Sequence, residues 1–190
     1  MKMLLVVISN SLPTCLYVYM HLDFDFVFLV GVTLKSCIDM VAQARKKGLT
    51  KPVVLMGYYN PFLAYGLDEL MEDSKNAGVD GFIVVDLPPE EGASFVKIAS
   101  SKGLTYVPLV SPTTTNDRIE YLSKTTSSFM YCVSVTGVTG ARGALPADLK
   151  EFLQRIRAHS EVPLAVGFGI GTPDQVNEVE IFILQNEKKK

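Results

Sequence analysis

Gly81-Phe82-Ile83-Val84-Val85-Asp86-Leu87-Pro88-Pro89-Glu90-Glu91 contains a strand, a turn and a helix start in direct succession. Residues 82–85 are apolar without polar alternation, which is typical of a strand that is covered on both faces. Asp86 ends the apolar run, and the prolines and glutamates after it are frequent in the first turn of a helix. The segment therefore predicts a strand-turn-helix unit of a parallel sheet.

The same unit recurs along the chain from residue 31 onward. Apolar runs alternate with helical patterns, which predicts an α/β fold with a parallel sheet, either a (β/α) barrel or an open doubly wound sheet. In both folds the functional site forms at the carboxyl ends of the strands. The predicted strands are residues 52–57, 82–85, 105–110, 129–133 and 164–166; the predicted helices are residues 32–47, 67–77, 88–102, 116–124, capped by Asn116 or Asp117, and 148–159.

Length and composition predict a globular chain that forms one domain or part of a larger one. The 190 residues are 48% hydrophobic and 20% charged, with a formal net charge of −2. A disordered chain would be less apolar, and a nucleic-acid-binding chain would be more basic. The three cysteines form no C-x-x-C pair, and the two histidines lie far apart in sequence. We therefore expect a reducing, cytoplasmic location and no metal site.

Two apolar runs stand at the beginning of the chain. The run Leu4–Ile8 resembles the start of a signal peptide, but it is short and no clear cleavage site follows it. The second run spans residues 16–30, and His21, Asp23 and Asp25 interrupt it, so it falls short of a membrane span. We expect a buried strand there.

Gly167-Phe168-Gly169-Ile170-Gly171-Thr172-Pro173-Asp174 follows the last predicted strand. Glycine has no Cβ, so the backbone can approach an anion closely, and Thr-Pro-Asp is a helix-start signal. Free backbone N–H groups at the start of a helix favour a bound phosphate. The motif predicts a phosphorylated small molecule as ligand, and a plain connecting turn is the alternative interpretation.

Other strand ends carry further candidate residues. Asp86 would place a carboxylate at the mouth of the sheet, or it would cap the helix that follows it. Tyr58 and Tyr131 end two strands, where they would form an aromatic pocket for a planar substrate or fill the core. Residues 134–143 are small and hydroxyl-bearing, which suits a lid that orders over a ligand or a flexible connector.

Five segments stand in order along the chain: Met56-Gly57-Tyr58-Tyr59-Asn60-Pro61, Gly81 through Glu91, Pro108-Leu109-Val110-Ser111-Pro112-Thr113-Thr114, Val133 through Arg142, and Ala165-Val166-Gly167-Phe168-Gly169-Ile170. Together they resemble consecutive signatures of the tryptophan synthase alpha chain family. The resemblance implies a (β/α)8 TIM barrel and a carbon–carbon lyase of tryptophan biosynthesis, which cleaves indole-3-glycerol phosphate to indole and glyceraldehyde 3-phosphate. It also implies a partner, the tryptophan synthase beta chain or domain, which holds pyridoxal phosphate and takes the indole. This chain itself would hold no cofactor.

The resemblance also implies roles for individual residues at the strand ends. Substrate-binding residues would line the indole-glycerol pocket, close over it or donate backbone N–H groups to the phosphate: Tyr58, Asp86, Val110 and Tyr131 in the pocket, Thr139 and Gly140 in the closing loop, and Phe168 and Gly169, with Gly140, at the phosphate. Asn60 and Pro61 would face the beta partner.

The sequence departs from the family pattern at both ends. The family has a catalytic Glu near the end of its second strand and an Asp within a Pro-Phe-Ser-Asp-Pro-like stretch, both upstream of the position of Gly31. No such stretch occurs here, and Asp23 and Asp25 match neither motif, so we identify no catalytic residue. No glycine follows Gly171, so the second half of the family's phosphate site has no counterpart either.

We therefore expect an incomplete, weakly stable barrel, truncated or altered at both ends. Residues 1–30 would be a non-family apolar segment, residues 31–176 the barrel portion and residues 177–190 a non-family tail, with improvised strands at 26–30 and 181–184. Two other functions stay open. One is a non-catalytic fragment or pseudoenzyme that binds a beta chain; the other is a different phosphate-binding barrel enzyme that uses Asp86 as its acid–base group.

Overall fold

The computed structural model describes residues 4–9, 16–20, 33–87, 89–133, 145–167 and 172–179. Their contacts divide the chain into two compact units, Met1–Val107 and Pro108–Lys190. The described strands form a five-stranded sheet in the first unit and a three-stranded sheet in the second. Each unit also has its own cluster of buried apolar side chains.

The first unit contains a mixed sheet. Its strands are β1 (Leu4–Ser9), β2 (Leu16–Met20), β3 (Val53–Gly57), β4 (Gly81–Val84) and β5 (Thr105–Val107). They lie in the order β2-β1-β3-β4-β5. β3, β4 and β5 are parallel, as the sequence predicts. β1 is antiparallel to both β2 and β3, a pairing that the sequence does not predict.

The helices described in this unit are α1 (Leu34–Lys46), α2 (Tyr59–Tyr65), α3 (Leu67–Ala77) and α4 (Pro89–Ser101). Val53 and Leu55 of β3 belong to the apolar cluster that these helices cover, whereas Val54 and Met56 are buried outside it. Successive strand residues point to opposite faces. Both faces of β3 are therefore buried, as its unbroken apolar run predicts.

Arg45, near the end of α1, is hydrogen-bonded to residues at the amino ends of β3 and β4. Its Nε and Nη2 donate to the carbonyl oxygen of Gly78 at 2.9 and 2.8 Å, and Nη2 also donates to Asp80 Oδ2 at 2.7 Å. The same Asp80 oxygen accepts a hydrogen bond from Val53 N at 2.7 Å. A single partly buried guanidinium thus ties α1 to the start of both strands.

The second unit contains three described parallel strands, β6 (Leu109–Val110), β7 (Met130–Val133) and β8 (Leu164–Gly167). Its helices are α5 (Asn116–Thr125), α6 (Leu149–His159) and α7, residues 173–179. Arg155 of α6 donates from Nη1 to the Thr114 carbonyl oxygen and from Nη2 to that of Pro112, both at 2.7 Å. These bonds tie the turn after β6 to α6.

The predicted alternation of strands and helices is confirmed, and some of its details are wrong. Residues 105–110 do not form one strand: they divide at Pro108 into β5 and β6, because proline has no N–H to donate within a sheet. Residues 59–61, which none of the predicted helices includes, form the first turn of α2, where a proline is tolerated.

The start of α5 also differs from its prediction. Thr115, and not Asn116 or Asp117, is the capping residue, and its hydroxyl oxygen accepts a hydrogen bond from Arg118 N at 3.4 Å. The strands predicted at 26–30 and 181–184 lie outside the described residues.

Within the ranges given above, no helix is long and apolar enough to span a membrane. Nor do any three His, Cys, Asp or Glu side chains of these ranges lie together as metal ligands would. Cys37 and Cys132 are buried free thiols, and burial raises the pKa of Cys132 to about 12. That thiol is therefore protonated and unreactive at neutral pH.

Gly81 is a position where the fold tolerates no side chain. A Cβ there would overlap the backbone carbonyl oxygen of Thr105 on the neighbouring strand. We expect Gly81→Ala to lower the free energy of unfolding by about 2–3 kcal/mol, because backbone must move to make room. Gly92→Ala is the matched control. It lies in α4, where the described atom nearest to an added Cβ is Leu87 Cδ2 at 4.0 Å, and it should stabilise the chain by about 0.5–1 kcal/mol.

The free energy of unfolding of both variants is measured by urea unfolding of the full chain. Circular dichroism monitors the transition, because the chain has no tryptophan. Equal effects of the two substitutions would contradict the close approach of β4 to β5 at Gly81.

A second close approach joins β7 and β8. A Cβ on Gly167 would overlap the phenol oxygen and ring of Tyr131. We expect Gly167→Ala to cost about 2 kcal/mol of unfolding free energy with Tyr131 present and less than about 0.5 kcal/mol in a Tyr131→Ala background. The four chains of this double-mutant cycle are compared by urea unfolding, and additive effects would show that the two residues do not meet.

Candidate functional site

The carboxyl ends of β3 and β4 lie side by side in the first unit, because Gly57 pairs with Val84 in the parallel register. Tyr58 follows β3 directly, and Asp86 lies two residues beyond β4. Both side chains are exposed, Tyr58 at 44%. The structure therefore brings these two predicted pocket residues to one accessible edge of the sheet.

Asp86 is hydrogen-bonded to the helix after β3. Its Oδ1 accepts from Tyr59 N at 2.6 Å, and Tyr59 is the first residue of α2. The residue before the helix, Tyr58, has extended backbone and supplies no capping side chain of its own. A carboxylate at a helix start satisfies a free N–H group and interacts favourably with the helix dipole. The Asp86 carboxylate thus supplies what the local sequence of α2 lacks.

Tyr59 and Glu91 extend this polar group, although neither is among the predicted site residues. The Tyr59 hydroxyl donates to Glu91 Oε2 at 3.4 Å. Burial, together with the nearby Glu91 carboxylate, raises the pKa of Tyr59 above its usual range, so the phenol is a neutral donor. Its ring is only 5% exposed and packs edge-on against Phe95. Tyr59 therefore connects the polar residues at the carboxyl ends of β3 and β4 with the apolar core.

The predicted partner-facing residues lie on α2. Asn60 is exposed and Pro61 is half-buried. Leu63, on the same helix, is 53% exposed, and with Tyr58 it accounts for two of the three exposed large apolar side chains among the described residues. The outer side of α2 thus combines an amide with two large apolar groups. We call Tyr58, Asn60, Pro61 and Leu63 the α2 surface.

The second unit holds the other described pocket candidates. Val110 and Tyr131 are 0% and 1% exposed. Val110 belongs to the apolar cluster beneath the helices, as do Met130 and Cys132 on either side of Tyr131. By strand alternation Tyr131 points to the opposite face, where its ring stands against Gly167. The pocket roles of Val110 and Tyr131 stay predictions.

The remaining candidate positions, Thr139, Gly140, Phe168 and Gly169, lie outside the described residues, as do Asp23 and Asp25. Their roles also stay predictions. The helix start that closes the glycine-rich motif is described and confirmed. Thr172 N donates to Gln175 Oε1 at 3.2 Å, and Thr172 Oγ1 accepts from Gln175 N at 3.3 Å, which is a reciprocal capping box at the start of α7.

The family model described as "Tryptophan synthase alpha chain" matches residues 26–183. The tryptophan synthase alpha chain of Roseiflexus castenholzii is 49% identical over 149 residues, which cover 78% of this chain and 57% of that one. The tryptophan synthase of Saccharomyces cerevisiae is 46% identical over 150 residues, 78% of this chain and 21% of the yeast protein. The chain thus spans little more than half the length of the bacterial relative.

A solved structure of the tryptophan synthase A-subunit from the hyperthermophile Pyrococcus furiosus is similar, with a TM-score of 0.76 and 30% identity. The similarity covers 83% of this chain and 63% of that subunit. The matching solved structures are TIM barrels, and the parallel strands and helices described here are the corresponding part of that barrel. The extent of the family match and the identity to its members together show that this chain belongs to the tryptophan synthase alpha chain family, with its (β/α)8 barrel fold.

Proposed function

We propose that this chain acts in tryptophan biosynthesis as an alpha-type component, which binds indole-3-glycerol phosphate and presents the α2 surface to a tryptophan synthase beta chain. Members of its family are lyases. The observation that carries the proposal is the position of Tyr58 and Asp86, which both follow the carboxyl ends of adjacent parallel strands. In barrels of this class that edge is where ligands bind.

The described side chains suit recognition of the indole-glycerol part of such a substrate. The Tyr58 ring is accessible and can lie against a planar indole. Asp86 is an exposed carboxylate whose second oxygen has no hydrogen bond to any described residue, so it can accept one from an N–H or O–H group of the ligand. Phe168 and Gly169 would supply backbone N–H groups to the phosphate.

Cleavage of the carbon–carbon bond requires two proton transfers. The glyceryl hydroxyl must lose a proton, and the indole carbon that leaves must gain one, so two carboxylates in different protonation states serve the reaction. The sequence has no counterpart of the family's Glu and Asp, and Asp86 already uses one oxygen to hold α2. This favours the second candidate function, a chain that binds ligand and partner without turnover. Pyridoxal phosphate would belong to the beta partner.

Replacing Tyr58 tests the ligand site. We expect Tyr58→Ala to weaken the binding of indole-3-glycerol phosphate to the full chain about fivefold, because an aromatic contact is worth about 1 kcal/mol. Tyr121→Ala is the matched control: Tyr121 is 42% exposed but lies on α5 beside Arg118, so its loss should leave the affinity unchanged. Isothermal titration calorimetry measures the affinity of each variant for indole-3-glycerol phosphate. Equal affinities of the two variants would contradict the pocket role of Tyr58.

The reaction itself is tested with the purified full chain and indole-3-glycerol phosphate, with and without added beta chain. Because the two family carboxylates have no counterpart, we expect binding without indole release above background. Indole release that Asp86→Asn abolishes would instead assign proton transfer to Asp86. Turnover of a different sugar phosphate, lost in the same variant, would favour an unrelated barrel enzyme.

A further inference from the structure

The α2 surface depends on a helix that cannot be stable alone. α2 has seven residues, no capping side chain at Tyr58, no acidic residue in its first turn and no basic residue in its last. It ends at Gly66 with φ +93°. Isolated helices of this length do not persist in water, so the position of α2 is decided by contacts with the rest of the unit.

Three kinds of contact hold α2, one of which joins the phenol hydroxyls of Tyr59 and Tyr65 to the carboxylates of Glu91 and Asp73. Its inner side is apolar: Tyr59 and Phe62 are 5% and 1% exposed, and the Phe62 ring fills the space beside Gly57 and packs edge-on against Phe82. Its first N–H group is bound by the Asp86 carboxylate. Apolar contacts hold the helix against the core but are not directional. The hydrogen bond from Tyr59 N to Asp86 is directional and determines where the helix begins.

A hydrogen bond similar to that of Asp86 joins the opposite ends of β3 and β4. Asp80 precedes β4 and accepts from Val53 N, the first residue of β3, at 2.7 Å. Asp86 follows β4 and accepts from Tyr59 N, just beyond β3, at 2.6 Å. Each bond joins residues 27 positions apart. Asp80 is further bound by Arg45, whereas no described basic residue forms an ion pair with Asp86.

From this geometry we propose that Asp86 is a positioning residue: by accepting the hydrogen bond of Tyr59 N it holds α2, and thereby gives the α2 surface the orientation in which a partner binds it. The bond acts across strands, so it places the helix relative to β4 and not only relative to β3. The partner-binding part of this inference rests on the proposed function; the positioning of α2 does not.

Amide hydrogen exchange of the full chain tests the positioning. We expect Asp86→Ala to raise the exchange rates of the α2 amides about five- to tenfold, as loss of a helix cap does, and to leave those of β3 and β4 unchanged. Asp86→Asn should keep wild-type rates within about twofold, because the amide Oδ1 still accepts from Tyr59 N. Asp80→Ala is the matched control and should raise exchange at the start of β3, with α2 unchanged.

Two results would overturn the positioning role. One is wild-type exchange of α2 in Asp86→Ala; the other is equal exchange of α2 in Asp86→Ala and Asp86→Asn. The second would show that the acceptor oxygen does not hold the helix.

Calorimetric titration with a tryptophan synthase beta chain tests the consequence for binding. We expect Asp86→Ala to lower the affinity about fivefold, since the partner must then order α2, while Asp86→Asn and Asp80→Ala bind like the wild-type chain. If Asp86→Ala raises the amide exchange of α2 but still binds the beta chain with wild-type affinity, the α2 surface is not the binding surface. Failure of the wild-type chain to bind would refute the proposed partner alone, and the exchange rates would still decide the positioning role.

Discussion

The hydrogen bond from Tyr59 N to the Asp86 carboxylate is the interaction on which the candidate site depends. It places a negative group at the start of a helix that has no cap of its own, and it does so across two strands. Without it, no described group would bind the first N–H of α2, and the helix would be held by the apolar contacts of Tyr59 and Phe62 and by the phenol hydrogen bonds of Tyr59 and Tyr65. The bond therefore determines both the accessible carboxylate beside Tyr58 and the orientation of the helix that exposes Leu63.

The parts of the fold that depend on local sequence were predictable. The helix predicted at 67–77 is confirmed at both ends, since its buried face has helical spacing and Gly78 adopts the left-handed conformation after it. β3 and β4 were predictable because a strand buried on both faces has no polar alternation. The same reasoning predicts no helix at 59–61, because a proline and an asparagine favour turns locally, while the burial of Phe62 and the distant Asp86 carboxylate favour a helix.

The sequence predicts where a candidate site would lie, at the strand ends, but not how its residues are connected. Strand ends carry the functional groups of parallel α/β folds, which is why Tyr58 and Asp86 could be singled out. The sequence could not show that Asp86 binds α2, because the bond joins residues 27 positions apart, and periodicity contains no information on such pairs. The burial of Tyr131 against Gly167 is another long-range contact of this kind. The proposed substrate and partner come from the resemblance to a family, because no local pattern encodes them.

The two ends of β3 and β4 differ in the way that a barrel requires. At the amino end, Asp80 is bound by Val53 N and by the partly buried Arg45, and Gly81 lets β4 approach the carbonyl oxygen of Thr105. Every polar group named there has a protein partner, so this end contributes stability. At the carboxyl end Asp86 is exposed and uses one oxygen for α2. Asp80 and Asp86 are both exposed and each uses one carboxylate oxygen, so the two ends differ in the Arg45 guanidinium, which pairs with Asp80 and has no described counterpart beside Asp86. The carboxylate at the carboxyl end therefore keeps its charge and its second oxygen for a ligand donor.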